Sequence, residues 1–159
     1  MRCDAAQFSR MYAAVYQDLY RYALCMMKNA QDAEDAVSDA VLAAFENIGK
    51  LKNPDAFRSW IFTITANTCR KKLKDISKKQ ENETEVTETL AEGQSQDWGV
   101  SIDVQNAFFI LTEEEQEIVG LSVFGGYNSK EIGAILSINP NTIRSKRSRA
   151  LEKMERVLR

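Results

Sequence analysis

Apolar residues at the start of the chain recur at three- and four-residue steps. Phe8, Met11, Tyr12, Val15, Leu19, Tyr22, Ala23 and Met26 fall on one face of a predicted helix. A second helix follows, with Asp32 as its expected cap and Ala33, Ala36, Val37, Ala40, Val41, Ala44 and Phe45 on its apolar face; Gly49 is the expected stop. "KLKNPD" reads as a turn, because Pro54 pushes Asn53 out of helical geometry. A third helix is expected from about Asp55 through Leu73, with Phe57, Trp60, Ile61 and Ile64 inward. "WIFTIT" has strand propensity, but no partner strand is evident elsewhere, so this segment too reads as helix.

Beyond a polar stretch from Asp75 to about Ser101, which has little periodicity and reads as a flexible linker, the punctuation sharpens. Thr112 and Glu115 form a capping box, and Gly125-Gly126 ends that helix. Asn128 and Glu131 form a second box, ahead of a short apolar face made by Ile132, Ile135 and Leu136. "SIN", 137 to 139, is a tight turn with Ile138 expected to be buried. Asn139 then caps a last helix that has Pro140 at its first position. Ile143, Ala150, Leu151, Met154 and Leu158 are its expected inward face. Short helix, tight turn and long basic helix make the helix-turn-helix plan, whose second helix enters the major groove. The fold class is therefore all-α: two small helical domains joined by a flexible acidic linker.

Charge is segregated along this layout. Residues 68 to 79 hold six basic side chains and one acidic, residues 80 to 111 hold seven acidic and no basic, and Asn141 onward holds seven basic and two acidic. The whole chain has net charge −2, so the cationic last helix belongs to a protein with no overall attraction for polyanions. Chemistry is narrowed by what is missing. There is no histidine, which removes the commonest general base and zinc ligand. The three cysteines, Cys3, Cys25 and Cys69, are scattered in no metal or disulfide pattern, as expected of reduced thiols. No glycine-rich phosphate loop occurs. No enzyme, cofactor or metal is expected. No apolar run reaches membrane-spanning length, and the N-terminus lacks an apolar core of signal-peptide length, so neither membrane insertion nor secretion is expected.

Three constellations could carry function. On the last helix, Asn141, Thr142, Arg144, Ser145, Ser148 and Arg149 point outward. Arg can grip guanine O6 and N7 in bidentate fashion, and Ser, Thr and Asn can reach base edges or phosphates. Lys146 and Arg147 suit backbone phosphates. The preceding short helix and turn favour DNA binding over a merely solvated amphipathic helix. On the second helix, Asp35 and Asp39 lie one turn apart beside Glu34. Like charges at that spacing slightly destabilise a helix, so they form either a solvated face or an acidic docking face for a basic partner. On the third, "FRSWIFTITANTCRKKLK" interleaves Phe57, Trp60 and Phe62 with Arg58, Arg70, Lys71, Lys72 and Lys74. That mixture suits unpaired nucleic acid as well as a core helix with a dipole-matched basic end. A stand-alone helix-turn-helix regulator and a helical adaptor with no nucleic-acid role are the competing readings.

The order of these parts is specific. "DAEDAVSDAVLAAFENI", then "FRSWIFTITANTCRKKLK", then an acidic linker, then "LTEEEQEIVGLSVFGGYNSKEIGAILSINPNTIRSKRSRALEKM" closely resembles the sigma-70 family, in its short extracytoplasmic-function (ECF) type. The resemblance implies region 2 at 1–75, a linker at 76–106 and region 4 at 107–159. It implies a bacterial, cytoplasmic factor that binds core RNA polymerase and recognises the −10 and −35 promoter elements. Asp35, Ser38 and Asp39, with Val41 and Phe45, occupy the positions that dock on the clamp helices of the largest polymerase subunit. Asn53, Phe57, Arg58, Trp60, Asn67, Arg70, Lys71 and Lys74 fall where the −10 element is melted and held. Asn141, Thr142, Arg144, Ser145, Lys146, Ser148 and Arg149 fall on the −35 reader. The flap of the second-largest polymerase subunit, promoter DNA and an anti-sigma factor are the other partners implied. The acidic tether is expected to mask the basic helix in the free protein and to follow a basic channel of the polymerase in the complex. The chain departs from the family at Thr63 and Ala66, where a base is common, at Ser38 for Gln, at Gly133 for Ala and at Ser137 for Gly.

Overall fold

In a computed structural model, residues 5–82 and 101–158 are described. Among the described residues, seven α-helices follow one another: α1 Ala5–Met27, α2 Ala30–Glu46, α3 Phe57–Asn82, α4 Ile102–Phe109, α5 Glu113–Val123, α6 Ser129–Leu136 and α7 Pro140–Leu158. Short 3-10 turns at Ile48–Lys50 and Pro54–Ala56 join α2 to α3. There is no strand among the described residues.

The first three helices pack on one another, and α4, α5 and α6 pack around α7. Phe8, Val15, Leu19, Tyr22 and Met26 of α1 are buried, as the three- and four-residue periodicity demands. Ala33, Ala36, Val37, Ala40 and Ala44 bury the inner face of α2. The small side chains there let α1 and α3 approach closely.

Several local expectations give way to better-placed groups. The cap of α2 is Asn29, whose Oδ1 accepts from Asp32 N–H at 3.1 Å; Asp32 lies in the first turn, where its charge suits the dipole. The same helix ends at Glu46, with Asn47 as its C-cap, and Gly49 falls inside the following 3-10 turn. Pro54 does hold Asn53 extended, and the Asn53 side chain caps the turn by accepting from Asp55 N–H at 3.0 Å. The third helix does not stop near Leu73. It runs to Asn82, so the polar stretch read as linker from Asp75 begins as helix. Lys and Gln are good helix formers, and nothing in 74–82 breaks the ladder. Helix α4 was hidden in the acidic tract; Ser101 starts it by accepting from Val104 N–H at 3.2 Å. The expected masking role of the tether falls largely on residues 83–100, outside the described residues.

Both capping boxes form. Thr112 with Glu115 opens α5, and Asn128 with Glu131 opens α6, each with the reciprocal pair of hydrogen bonds. On α7, Ile143, Ala150 and Met154 are buried, but Leu151 and Leu158 are exposed, a correction to the inward face expected of them. Ile138 is half-buried rather than buried.

The turn between α6 and α7 needs a left-handed residue, and Ser137 supplies it at φ 58°, ψ 46°. The backbone N–H groups of Ser137 and Ile138 both donate to the Gly133 carbonyl. A Cβ on Gly133 would lie 2.5 Å from the Ile138 oxygen, so the departure from Ala at that position fits the tightness of this turn. An L-residue in that conformation costs about 1–2 kcal/mol. Ser137→Gly is therefore expected to stabilise the fold by about 0.5–1 kcal/mol, after the entropy that glycine adds to the unfolded chain. A rise of a few degrees in thermal midpoint would check it.

The two halves are not separate bodies. α1 packs against α5, and α3 packs against α6. Ile118, Leu121, Tyr127, Ile132 and Ile143 share one apolar cluster with the cores of α1, α2 and α3. In the other direction, Cys25 of α1 lies in a smaller cluster with Ala107, Phe108, Leu111, Val119, Ala150 and Met154. At the crossing of α1 and α5 the Tyr22 ring lies so close that a Cβ on Gly120 would come within 2.8 Å of it.

Candidate nucleic-acid interface

Helix α7 presents the expected face. Asn139 Oδ1 accepts from Asn141 N–H at 2.8 Å and starts the helix. Asn141, Thr142, Arg144, Ser145, Ser148 and Arg149 are exposed, while Ile143 and Ala150 anchor the opposite side. Lys146 and Arg147 are half-buried at the flanks. Lys146 pairs with Glu114, and Arg144 donates to Asn141 Oδ1. The helix is fixed to α5 by Lys153, whose Nζ lies 2.9 and 3.0 Å from the two Glu115 carboxylate oxygens. Burial opposes the Glu115 charge, but hydrogen bonds from Thr112 and Lys153 outweigh it and hold the carboxyl below its ordinary value. Three consecutive buried polar residues on α5 thus each find a partner: Glu115 with Lys153, Gln116 through Nε2 to the Phe108 carbonyl at 2.9 Å, and Glu117 with Arg70.

A second surface lies on α2. Asp35, Ser38 and Asp39 are exposed, Val41 is half-buried, and Phe45 is 45% exposed. Leu42, absent from the sequence reading, is 61% exposed on the same face. The signal was available, since Leu42 follows Ser38 and Asp39 at four and three residues. Asp39 is met from behind by Lys72 of α3, Nζ to Oδ2 at 2.8 Å, which holds the Lys72 ammonium above its ordinary pKa.

The α3 candidates divide. Asn67, Lys71 and Lys74 are exposed and follow Trp60 at seven-, eleven- and fourteen-residue steps, one stripe of the helix. Trp60 is half-buried and, with Leu51, Ala56, Ser59 and Thr63, lines a cavity of about 380 Å³ closed on its far side by Glu131, Ala134 and Ile135 of α6. Asn53 is exposed at the edge of the preceding loop. Phe57 is buried, its ring edge-on to Phe8 at 5.6 Å, so it supports the loop from inside. Arg58 points away from the Trp60 stripe, onto Asp18 of α1 and the turn after α5. Arg70 lies beside the stripe and turns to Glu117 of α5. Among the described residues no group of three or more acidic, cysteine or histidine side chains could hold a metal ion, and no helix is long and apolar enough to cross a membrane.

A helix-turn-helix with an exposed polar face, joined to a helical domain that carries an acidic face and a basic stripe, is the layout of a DNA-binding transcription factor. Residues 11–79 match the family description Sigma-70 region 2, and residues 104–154 match Sigma-70, region 4. The sigma factor SigV of Bacillus subtilis is 30% identical over 138 residues, covering 87% of this chain and 82% of that one. The ECF sigma factor SigM of Mycobacterium tuberculosis is 26% identical over 155 residues, covering 98% and 79%. In structure the chain is similar to the sigma factor RpoE of Bartonella quintana, solved with the anti-sigma factor NepR, at TM-score 0.83 and 22% identity over 95% of this chain and 96% of that one. It is similar to CnrH, solved with the cytosolic domain of CnrY, at TM-score 0.72 and 20% identity over 98% and 89%. The chain belongs to the sigma-70 family. Within it, the chain is a factor of the ECF type, and it directs promoter-specific transcription initiation by RNA polymerase.

Proposed function

We propose that the three faces divide the work of initiation, within domains of about 1–75 and 107–159 joined by the acidic tract. The α2 face, Asp35, Ser38, Asp39 and Phe45 with Leu42 added, docks on the clamp helices of the largest polymerase subunit. Val41 supports that face from below. The exposed side of α7 reads the −35 element, with Arg144, Ser145, Ser148 and Arg149 toward base edges and Lys146 toward phosphate. The α3 stripe of Trp60, Asn67, Lys71 and Lys74, with Asn53 on the loop before it, holds the −10 strand. Phe57 contributes by positioning the loop. The observation that carries this reading is the exposure of every outward α7 position on a helix whose opposite face is locked into the C-terminal core.

The other partners follow the same reading. The flap of the second-largest polymerase subunit meets region 4, and the protein works in the bacterial cytoplasm without catalysing a reaction itself. An anti-sigma factor is a further partner, since one structural relative was solved with the anti-sigma factor NepR and the other with the cytosolic domain of CnrY.

Run-off transcription with core polymerase on a promoter library tests the reading. Wild-type protein is expected to select one pair of −10 and −35 sequences. Arg149→Ala should cost about 1–3 kcal/mol at that promoter and relax preference at one −35 position, as loss of a bidentate guanine contact does. Lys146→Ala should weaken all sequences alike and reduce the salt dependence. Uniform loss from both would make Arg149 a phosphate contact, and no selective initiation on any template would defeat the assignment.

A further inference from the structure

The two carboxylates of the α2 face do not stand in equivalent places. Ala33, Ala36, Val37, Ala40 and Ala44 are buried and define the inner side of the helix. At about 100° per residue, Asp35 and Leu42 lie about 155° and 175° around the helix from the middle of that set, near its outermost line. Asp39 lies only about 115° round, on the edge beside α3.

That difference decides what each carboxylate meets. On the edge, Lys72 Nζ of α3 takes Asp39 Oδ2 at 2.8 Å. The lysine side chain is the more covered partner, 29% exposed against 57% for Asp39. The hydrogen bond to Asp39 is the strongest influence on the Lys72 pKa and raises it; partial burial opposes it, and the charges of Asp39, Asp35 and Asp32 add to it. The ammonium is thus drawn to the whole acidic row but bonded at one position in it. Asp35 feels the same lysine only at a distance, and among the described residues it has no hydrogen bond or ion pair.

Lys72 also stands apart from the cations around it in the sequence. Lys71 and Lys74 are exposed on the α3 stripe assigned above to the −10 strand, whereas Lys72 is turned about 100° from Lys71, toward α2. A basic partner docking on α2 therefore meets two unlike carboxylates. Asp35 offers both oxygens, with the exposed Leu42 about two turns further along the same line. Asp39 has one oxygen engaged already, and the lysine behind it repels an incoming cation. At an exposed site such effects amount to a few-fold in affinity, but they act on one carboxylate and not on the other.

We infer that Lys72 is a specificity-determining residue of the polymerase-docking face: it mutes Asp39 and leaves Asp35 as the carboxylate that takes the partner's cation. The inference rests on the docking reading above. It gives the partner one basic side chain seated opposite Asp35 and beside an apolar contact to Leu42, instead of two cations spread along the helix.

Titration of the labelled full chain with core polymerase tests it. Asp35→Asn should weaken binding about tenfold and Asp39→Asn about twofold. Lys72→Met removes the charge and keeps an apolar stem, so it should tighten binding about threefold, as release of an exposed ion pair does. Lys72→Arg keeps the pair and should bind as the wild type does. With Asp39 released in the Lys72→Met chain, Asp39→Asn should weaken binding about sixfold instead of about twofold. A lysine that only braced α3 against α2 would give the opposite sign, weaker binding on Lys72→Met, and that loss would not depend on residue 39. Circular dichroism checks helix content in each variant, and Lys72→Gln serves if Lys72→Met loses helix. Equal effects of Asp35→Asn and Asp39→Asn, or binding that is unchanged or weaker on Lys72→Met, would overturn the inference and leave the docking face in place. No loss even from Asp35→Arg with Asp39→Arg would remove the docking reading, and the inference with it.

Discussion

Asp35→Arg with Asp39→Arg is expected to weaken binding to core RNA polymerase by about 100-fold or more, with the helices intact. Both carboxylates are exposed on α2, and neither supports the core beneath, which is made by Ala36, Val37 and Ala40. Their effect on folding is thus small, apart from the loss of the Lys72 contact to Asp39, a surface pair of modest worth. At a basic docking site, however, each reversal replaces an attraction with a like-charge contact, and such juxtapositions cost several kcal/mol. The apolar neighbours Leu42 and Phe45 would still fit, so the loss should be concentrated in the association rate and should diminish at high salt. Titration of labelled protein with core polymerase, alongside circular dichroism, checks both parts. Undiminished affinity would place the polymerase contact elsewhere.

Tyr22→Phe is expected to stabilise the protein, against the usual direction of a core substitution. The Tyr22 ring is fully buried, with Phe62 edge-on at 6.1 Å and Gly120 against it. Its hydroxyl finds no partner, and burial pushes the phenol well above its ordinary pKa. The ring contacts survive the change, whereas the desolvation penalty of an unpaired hydroxyl, about 1–3 kcal/mol, does not. For a chain of this size each kcal/mol corresponds to about 2–4 °C in thermal midpoint. A lower midpoint would show that the hydroxyl is satisfied in solution.

The helices were readable wherever one face is buried. The steps from Phe8 to Met26 and the two capping boxes mark α1, α5 and α6 because local hydrogen bonds and one-sided burial act within a few residues. The outward face of α7 was equally plain, since Ile143, Ala150 and Met154 fix which side is left over. What failed was longer in range or weaker in signal. Leu151 lies one position round from buried Ala150, off the covered face, and Leu158 lies a turn past Met154, the last buried residue of α7. The last turns of α3 carry no apolar face, so only the absence of a breaker marks them. Arg58 and Arg70 looked like free cations because their partners, Phe124–Gly125 and Glu117, lie 66, 67 and 47 residues away. No local rule pairs an arginine in one half with a carboxylate in the other, and a layout of two tethered domains predicts no such pairing.

The continuation of α3 to Asn82 shortens the leash between the halves. A straight α-helix of 26 residues is a rod about 39 Å long, and between its end and Ser101 there are 18 residues. Fully extended, they reach about 60–65 Å. Region 4 is thus confined near region 2 at an effective concentration in the millimolar range that tethers of this order produce. Contact between the two halves is therefore made within one molecule and needs no bimolecular encounter.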